Sequence, residues 1–353
     1  TAIAISSGYA HTCAILDNGL VSCWGRGTVG PLGNGNTSQK NSPTLTSSLG
    51  TGRTAIALSS GYAHTCVILD NGAVSCWGEG TDGRLGNGGT SNKNTPTLTS
   101  SLGTGRTAIA ISSGYAHTCV ILDNGAVSCW GEGTDGRLGN GGTSNKNTPT
   151  LTSSLGTDRT AVAISLGEEH TCVILDNGAV SCWGEGSNGQ VGKGEWGIGV
   201  YYTTPQLTSS LGTGRTAVSI SLGNSHTCAI LDNGAVSCWG RDDAGQQGNG
   251  AASNSNTPTL TSSLGTGRTA VALSLGKSHT CAILDNGSTS CWGRGAEKQL
   301  GNGGTSDKTT PTLTSSLGTG RTAALSERDF DNDGILNIFD VHHQGIDARE
   351  ETL

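Results

Sequence analysis

The chain has 353 residues, a formal net charge of −7 at pH 7, 58 glycines, 12 cysteines, two phenylalanines and no methionine. From position 327 onward, eight acidic and two basic residues carry a charge of −6, which leaves −1 for the rest of the chain. Because a nucleic-acid binder needs a basic surface that displaces counterions from phosphates, this distribution argues against a nucleic-acid partner. No stretch is long and apolar enough to predict a membrane span.

A fifteen-residue segment, HTCAILDNGLVSCWG, begins at His11 and recurs five more times in the chain. Alternating apolar residues on both sides of Asp-Asn-Gly predict a β-hairpin in every copy. If Gly19 takes the left-handed conformation that follows a type I turn, Leu16 faces Leu20. The later copies begin at steps of 53, 53, 53, 56 and 53 residues, at His64, His117, His170, His226 and His279.

The same register places the two cysteines of each hairpin opposite each other at a non-hydrogen-bonded pair, where a disulfide fits. A zinc site is the other use of paired cysteines, but a C-x9-C pair with one nearby histidine lacks the usual spacing. Paired cysteines at this density indicate an oxidising compartment, and we expect an extracellular or cell-surface protein. The predicted pairs are Cys13 with Cys23, Cys66 with Cys76, Cys119 with Cys129, Cys172 with Cys182, Cys228 with Cys238, and Cys281 with Cys291.

Each repeat also holds a first strand such as TAIAIS before the hairpin and a fourth strand candidate such as SPTLTSSL after it. Four short strands per repeat predict an all-β fold, a β-propeller of four-stranded blades with one disulfide per blade. The predicted repeats are residues 1–53, 54–106, 107–159, 160–215, 216–268 and 269–321, followed by a tail at 322–353. We expect six blades; because TAALS at Thr322 begins a seventh unit, the alternative is seven blades, the last completed by another chain.

Five features recur together in each repeat: a Gly-x-x-His lead, an apolar strand, a turn glycine, Trp-Gly, and a loop like Gly-Gln-Leu-Gly. This pattern resembles the repeat of the regulator of chromosome condensation family, and six copies cover about 320 residues. The resemblance implies a β-propeller, usually of seven blades. Members of that family include a nucleotide-exchange factor for a small nuclear GTPase and secreted inhibitors that bind an enzyme through loops on one face. Disulfides and a neutral repeat surface argue against the exchange-factor role here, and the secreted members show that the fold can serve as a binding platform.

Three repeated side chains invite a chemical function, but a structural role is expected for each. The histidine at the start of each hairpin recurs once per blade, which separates opposite members too far for one metal ion. The tryptophan after each second cysteine is expected to pack between blades. The arginine that ends each repeat is expected to pair with turn aspartates such as Asp70 and Asp123. These arginines are Arg53, Arg106, Arg159, Arg215, Arg268 and Arg321.

The repeats differ most in the loop after Trp-Gly, and the fourth copy adds Trp196, Tyr201 and Tyr202. Rigid amphipathic rings on a loop are good contact residues, so this loop is a candidate partner contact for a protein or glycan. The alternative is that the rings cover the edge of a slightly larger blade. Asn36 and Asn286 lie in glycosylation sequons.

The tail contains DFDNDGILNIFD at residues 329–340, which spaces oxygen ligands as calcium loops do. The segment resembles the thrombospondin type 3 repeat, although Asp rather than Glu closes the loop. We expect it to bind Ca²⁺; the alternative is an acidic linker. The expected ligands are Asp329, Asp331, Asp333, the Ile335 carbonyl, Asn337 and Asp340.

These observations together predict a non-enzymatic extracellular module that serves structure or assembly at a cell surface, in a secreted filament or in a matrix. The expected partner is another copy of the chain or another surface protein or glycan. The first alternative is a platform that binds a specific protein or glycan through the loops after Trp-Gly. The remote alternative is a hydrolase with a site in the propeller mouth, although the repeats contain no Gly-x-Ser-x-Gly or phosphate-loop motif.

Overall fold

The structure, a computed structural model, describes residues 1–318 and 322–323. The fold is a six-bladed β-propeller, and each blade is an antiparallel sheet of four strands that pair in chain order. Within the described residues the only helical elements are two 3-10 turns, Thr81–Gly83 and Thr134–Gly136. No helix in this part of the chain has the length and hydropathy that a membrane-spanning segment needs. The prediction of an all-β propeller with six blades is confirmed.

The chain divides into two compact units. Among the described residues, unit 1 contains Thr1–Ser154 with Thr160–Ile164, and unit 2 contains Leu155–Arg159 and the residues from Ser165 onward. Blades 1 to 3 therefore belong to unit 1, and blades 4 to 6 belong to unit 2 apart from the start of the first strand of blade 4.

The strand boundaries are as follows. Blade 1 contains β1 (Ala2–Ser7), β2 (His11–Leu16), β3 (Val21–Gly25) and β4 (Lys40–Leu45). Blade 2 contains β5 (Ala55–Ser60), β6 (His64–Leu69), β7 (Val74–Gly78) and β8 (Lys93–Leu98). Blade 3 contains β9 (Ala108–Ser113), β10 (His117–Leu122), β11 (Val127–Gly131) and β12 (Lys146–Leu151).

The strands of blades 4 to 6 have similar lengths. Blade 4 contains β13 (Ala161–Leu166), β14 (His170–Leu175), β15 (Val180–Glu185) and β16 (Tyr201–Leu207). Blade 5 contains β17 (Ala217–Leu222), β18 (His226–Leu231), β19 (Val236–Gly240) and β20 (Ser255–Leu260). Blade 6 contains β21 (Ala270–Leu275), β22 (His279–Leu284), β23 (Thr289–Gly293) and β24 (Lys308–Leu313).

The central hairpin of each blade has the register that the sequence predicts. The Leu16 N–H donates to the Leu20 carbonyl at 2.8 Å, and Gly19 has a φ of 73°, which an L side chain rarely adopts. Cys13 pairs directly with Cys23, and their Cα atoms are 4.1 Å apart.

Every predicted disulfide is present, and no cysteine of the chain is free. The Cα atoms of the two cysteines are 4.1 Å apart in each bridge, so the six hairpins are closed in the same way. The alternative of a zinc site at these cysteines is therefore wrong. After the bridge of blade 1, the bridges of blades 2 to 6 join Cys66 to Cys76, Cys119 to Cys129, Cys172 to Cys182, Cys228 to Cys238, and Cys281 to Cys291.

The fourth strand is shorter than the sequence suggests. In blade 1 it ends at Leu45. The Thr46 N–H still donates to Val21 of the third strand, but the Ser47 N–H leaves the ladder and donates to Gly33. The strand contains Pro43, which lacks the N–H that a central strand must donate. The fourth strand pairs only with the third, so it is the outer edge of the blade.

The core lies between neighbouring blades rather than within one sheet. In unit 1, Ile68 and Val74 of blade 2 pack with Val120 and Trp130 of blade 3, and each of these side chains is at most 1% exposed. First strands of successive blades also contact each other, as β1 does β5 and β5 does β9. Each blade is thus stabilised by its neighbour, as in other repeat proteins.

The chain leaves blade 6 in the register in which the other blades begin. The Ala323 N–H donates to Gly287 at 2.8 Å, as Ala55 donates to Gly19 at 2.9 Å. The rest of TAALS lies outside the described residues.

Candidate functional site

The two ends of each sheet have different roles. Because the strands are antiparallel, the short loop between the first and second strands and the long loop between the third and fourth lie at one end, which we call the loop end. The Asp-Asn-Gly turn lies at the other, the turn end. The repeats differ mainly in loop-end residues, so a site that is not repeated must lie there.

At the turn end, the repeat-closing arginines are neutralised as predicted. Arg53 Nη1 lies 3.2 Å from Asp70 Oδ2, and Arg106 Nη1 lies 3.3 Å from Asp123 Oδ2. These arginines orient the turns, and Arg321 lies outside the described residues. The counterparts in blades 4 to 6 are equally close, in the pairs Arg159–Asp176, Arg215–Asp232 and Arg268–Asp285.

At the loop end, four of the repeated histidines bond to a threonine of the next blade: His11, His64, His170 and His226. His11 Nε2 lies 2.9 Å from Thr65 Oγ1, and Thr65 Oγ1 donates to the Pro31 carbonyl at 3.0 Å. Trp77 Nε1 donates to the same carbonyl at 2.9 Å. We call this histidine, with the threonine and tryptophan of the following blade, an interblade triplet. The same contacts recur in His64, Thr118 and Trp130, with Arg84 as acceptor, and in His226, Thr280 and Trp292, with Gln246 as acceptor.

The interblade triplet fixes the protonation of the histidines. Because Thr118 Oγ1 donates to the Arg84 carbonyl at 3.2 Å, it accepts from the Nε2–H of His64, and Nδ1 of His64 is the unprotonated nitrogen. That atom is buried and has no hydrogen-bond partner in the described chain. Burial, then the charges of Arg84 and His11, lowers the pKa of His64 to about 3. A histidine held neutral in this way is structural.

Close packing around the histidine imidazole also supports a structural role for these histidines. A Cβ placed on Gly8 would collide with the His11 imidazole, which explains why glycine leads every copy. Across the described residues no group of three or more His, Cys, Asp or Glu side chains is placed to hold a metal ion.

Three tyrosines at the loop end of unit 1 form the main aromatic surface. Tyr9, Tyr62 and Tyr115 occupy the same position in blades 1 to 3, two residues before the repeated histidine. The ring centroids of Tyr9 and Tyr62 are 4.4 Å apart, as are those of Tyr62 and Tyr115. Tyr9 is 68% exposed and Tyr115 is 38% exposed. We call these residues the tyrosine row.

The backbone holds the tyrosine row in place. The Tyr9 N–H donates to the Tyr62 carbonyl at 3.4 Å, and the Tyr62 N–H donates to Gly114 at 3.3 Å. Sequence reasoning missed this surface because it followed the hairpins and the longest loop. The available signal was the tripeptide Tyr-Ala-His in three consecutive repeats, where blades 4 to 6 have Glu168, Asn224 and Lys277 instead.

A cavity of about 180 Å³ lies beside the row at the boundary of blades 1 and 2. Its walls include Tyr9 and Tyr62, with Arg26, Pro31 and Glu79. Arg26 is exposed, and its nearest polar side-chain contact is from Nε to the Thr28 hydroxyl at 3.4 Å. Glu79, by contrast, is paired with Arg84 at 2.9 Å. The cavity therefore combines two aromatic rings with one unneutralised guanidinium.

The three aromatic residues predicted as contacts in the fourth loop differ in exposure and in their side-chain contacts. Trp196 is 55% exposed and Tyr201 is 47% exposed. The Tyr202 hydroxyl donates to Glu195 at 2.8 Å, and Lys193 Nζ lies 5.0 Å from the Tyr202 ring centroid. Burial and the bond to Glu195 raise the pKa of Tyr202 to about 12. Tyr202 is thus held by its own loop, and Trp196 and Tyr201 remain the candidate contacts.

Blade 5 contains a buried carboxyl group that the sequence did not reveal. Asp242 replaces the glycine found at this position in the other repeats, and its side chain is fully buried. Its Oδ1 accepts the Gln247 N–H at 2.8 Å, and burial raises the pKa of Asp242 to about 6. Gln247 stands where most blades have leucine and donates to the Gly240 carbonyl at 2.6 Å. Asp242 and Gln247 thus place two polar side chains in one loop where most blades have a glycine and a leucine.

The remaining predicted sites are only partly described. Asn36 and Asn286 are both exposed, so glycosylation at either sequon remains a prediction. The calcium loop at 329–340 lies outside the described residues, and calcium binding also remains a prediction.

Comparison with known proteins identifies relatives along most of the chain. A family model for the RCC1-like domain matches residues 1–326. Human E3 ubiquitin-protein ligase HERC2 is 31% identical over 281 residues, which cover 79% of this chain and 6% of HERC2. The ultraviolet-B receptor UVR8 of Arabidopsis thaliana is 30% identical over 310 residues, which cover 88% of this chain and 69% of UVR8.

Solved structures share the fold. Yeast RCC1 (Prp20), in its crystal structure with Kap60, has a TM-score of 0.79 at 21% identity, covering 90% of this chain and 75% of that one. Human WBSCR16 also has a TM-score of 0.79, at 18% identity, covering 90% and 82%.

Proposed function

The chain belongs to the RCC1-like domain family, and from this premise we propose that it is a non-enzymatic protein-binding module that uses its loop end as the contact surface. The tyrosine row carries the proposal. Tyrosines supply large contact area at a small cost in side-chain entropy, and backbone bonds between the loops already fix their positions. Yeast RCC1, which shares the fold, has been crystallised with another protein, Kap60.

A capture experiment tests this proposal. The full chain would be immobilised and exposed to an extract of extracellular and surface proteins. Replacement of Tyr9, Tyr62 and Tyr115 by Ala should abolish capture, because it removes the aromatic surface. A control that replaces Leu45 and Leu98, the exposed leucines at the ends of the outer strands of blades 1 and 2, by Ser should leave capture unchanged. Capture that survives the tyrosine replacements would assign binding to another surface.

We also propose that the protein works in an oxidising extracellular environment with a calcium-bound tail. The support is the pairing of all twelve cysteines in six disulfides, because such bonds persist where thiols are not kept reduced. Alkylation of the protein under native conditions, followed by intact mass measurement, should find no reactive thiol. Labelling at several cysteines in freshly isolated protein would refute the proposal of an oxidising environment.

Self-assembly is a second candidate function, and the exposure of Ile5 favours it. Ile5 pairs with Ala14 in the register in which Ile111 pairs with Val120. Ile111 is 7% exposed because it packs against blade 2, whereas Ile5 is 67% exposed. An uncovered apolar strand of this kind favours association. Sedimentation at rising concentration should show oligomers that Ile5→Asp removes; a monomer throughout would eliminate this function.

A further inference from the structure

We propose that the cavity lined by Tyr9, Tyr62 and Arg26 binds an acidic residue of an extended partner peptide, with the carboxylate on Arg26 and the neighbouring apolar side chain against the tyrosine rings. This inference rests on the proposed function, because it names the chemistry of the partner at the same surface. The observation that carries it is an unneutralised guanidinium beside a formed aromatic cavity.

Arg26 differs from the arginines that occupy its position in blades 5 and 6. Arg241 Nη2 lies 2.6 Å from Asp243, and Arg294 Nη2 lies 3.8 Å from Glu297. In the described chain Arg26 has no carboxylate partner, and its contact with the Thr28 hydroxyl uses only Nε. Its two Nη groups therefore remain available, and a planar guanidinium binds a carboxylate through two parallel hydrogen bonds.

The size of the cavity selects a side chain. Its volume of about 180 Å³ is smaller than that of sites that hold drug-sized ligands, about 300 Å³ or more. The Tyr9 ring and Pro31 provide an apolar wall for carbon atoms next to the acid. The acidic wall residue, Glu79, opposes an acidic guest only weakly because Arg84 and the Thr81 hydroxyl already bind it, at 2.9 and 3.3 Å.

The next boundary has the same aromatic stack but no unpaired guanidinium. Tyr62 and Tyr115 repeat the ring contact at 4.4 Å, and the position of Arg26 is taken there by Glu79. An acidic residue would therefore be attracted at the boundary of blades 1 and 2, whereas the boundary of blades 2 and 3 offers it only a glutamate that Arg84 already binds. One charged residue decides which of two similar surfaces is the subsite.

The test uses the full chain and a phage library of random 12-residue peptides. Peptides enriched on the unmodified protein should contain Asp or Glu next to an apolar residue. Arg26→Glu should weaken their binding about ten-fold or more, because it removes the charge-assisted bonds and adds repulsion. Replacing the acid of the peptide by its amide should have a similar effect. Arg294→Glu, at the same repeat position in blade 6, is the control and should leave the affinity unchanged.

The outcomes separate this inference from the proposed function. Enriched peptides without acidic residues, or peptides that bind equally to Arg26→Glu, would overturn the acidic subsite. If those peptides were still lost with Tyr9→Ala, the loop end would remain a binding surface with a different specificity. If no peptide is enriched, the subsite is refuted, while the capture experiment still decides the proposed function. Equal unfolding midpoints of the variants would show that each one is folded.

Discussion

The hydroxyl of Thr118 should be essential to the packing of blades 2 and 3. Its oxygen accepts from His64 at 2.9 Å and donates to the Arg84 carbonyl at 3.2 Å. Thr118→Val keeps the shape of the side chain and removes both bonds. The Arg84 carbonyl would still accept from Trp130 Nε1 at 3.0 Å, so the main loss is the acceptor for the buried Nε2–H of His64.

A buried donor left without an acceptor costs about 1 to 3 kcal/mol. The histidine has no alternative, because Nδ1 is also buried without a partner in the described chain. We therefore expect Thr118→Val to lower the unfolding free energy by about 1 to 3 kcal/mol. For domains of 150 to 250 residues this corresponds to roughly 2 to 4 °C in Tm for each kcal/mol.

Guanidinium unfolding followed by tryptophan fluorescence, with the disulfides intact, measures this loss. The matched control is Thr12→Val, at the same repeat position in blade 1. Thr12 is half-buried, and its hydroxyl lies 3.4 Å from that of Ser7 and contacts no histidine. The control should change stability by less than about 0.5 kcal/mol, as do most exposed substitutions. If the two variants unfold at the same midpoint, the interblade hydrogen bonds do not stabilise the array as argued.

Three further outcomes are expected. The unfolding free energy should fall from pH 7 to pH 5. Burial lowers the pKa of His64 to about 3, whereas a histidine of the unfolded chain titrates near 6.5, so the unfolded chain binds more protons and each such histidine should cost about 2 kcal/mol by pH 5. An unfolding free energy that rises or stays constant would contradict this. Replacing both Cys119 and Cys129 by Ala should cost roughly 2 to 3 kcal/mol in denaturant unfolding; an unchanged midpoint would show that the turn alone restrains the hairpin. The double replacement Asp331→Asn and Asp333→Asn should remove the calorimetric Ca²⁺ signal of the full chain, and a signal that persists would place calcium elsewhere.

The fold could be predicted because its determinants are local and repeated. The Asp-Asn-Gly turn and the ten-residue cysteine spacing both fix the register of the same hairpin, and Cys13 and Cys23 confirm it. The end of the fourth strand was less predictable. Ser47 lies in the run predicted as a strand, but its N–H bonds to Gly33 in the long loop, and a partner that the folded loop supplies leaves no local pattern.

The candidate site was harder to predict because it is made by contacts between repeats. Within one repeat, Tyr62 is a single residue in a short loop and is not distinguished from a surface tyrosine. Its significance comes from the rings of Tyr9 and Tyr115 on either side, each with its centroid 4.4 Å away. The buried Asp242 was missed for a similar reason: its main partner is the backbone N–H of Gln247, and backbone partners do not appear in a side-chain pattern.

The identity of two repeats has a consequence for how a partner would bind. Residues 54–106 and 107–159 differ only at Leu58 against Ile111 and at Gly105 against Asp158, and neither difference lies in the long loop after Trp-Gly. Blades 2 and 3 thus present the same glutamate at the position where blade 1 presents Arg26. An extended peptide that follows the three tyrosines would meet an unpaired positive charge once, at the first boundary, and at the second only glutamates that arginines already bind. Its acidic residue therefore fixes both its register and its direction, which identical blades could not do.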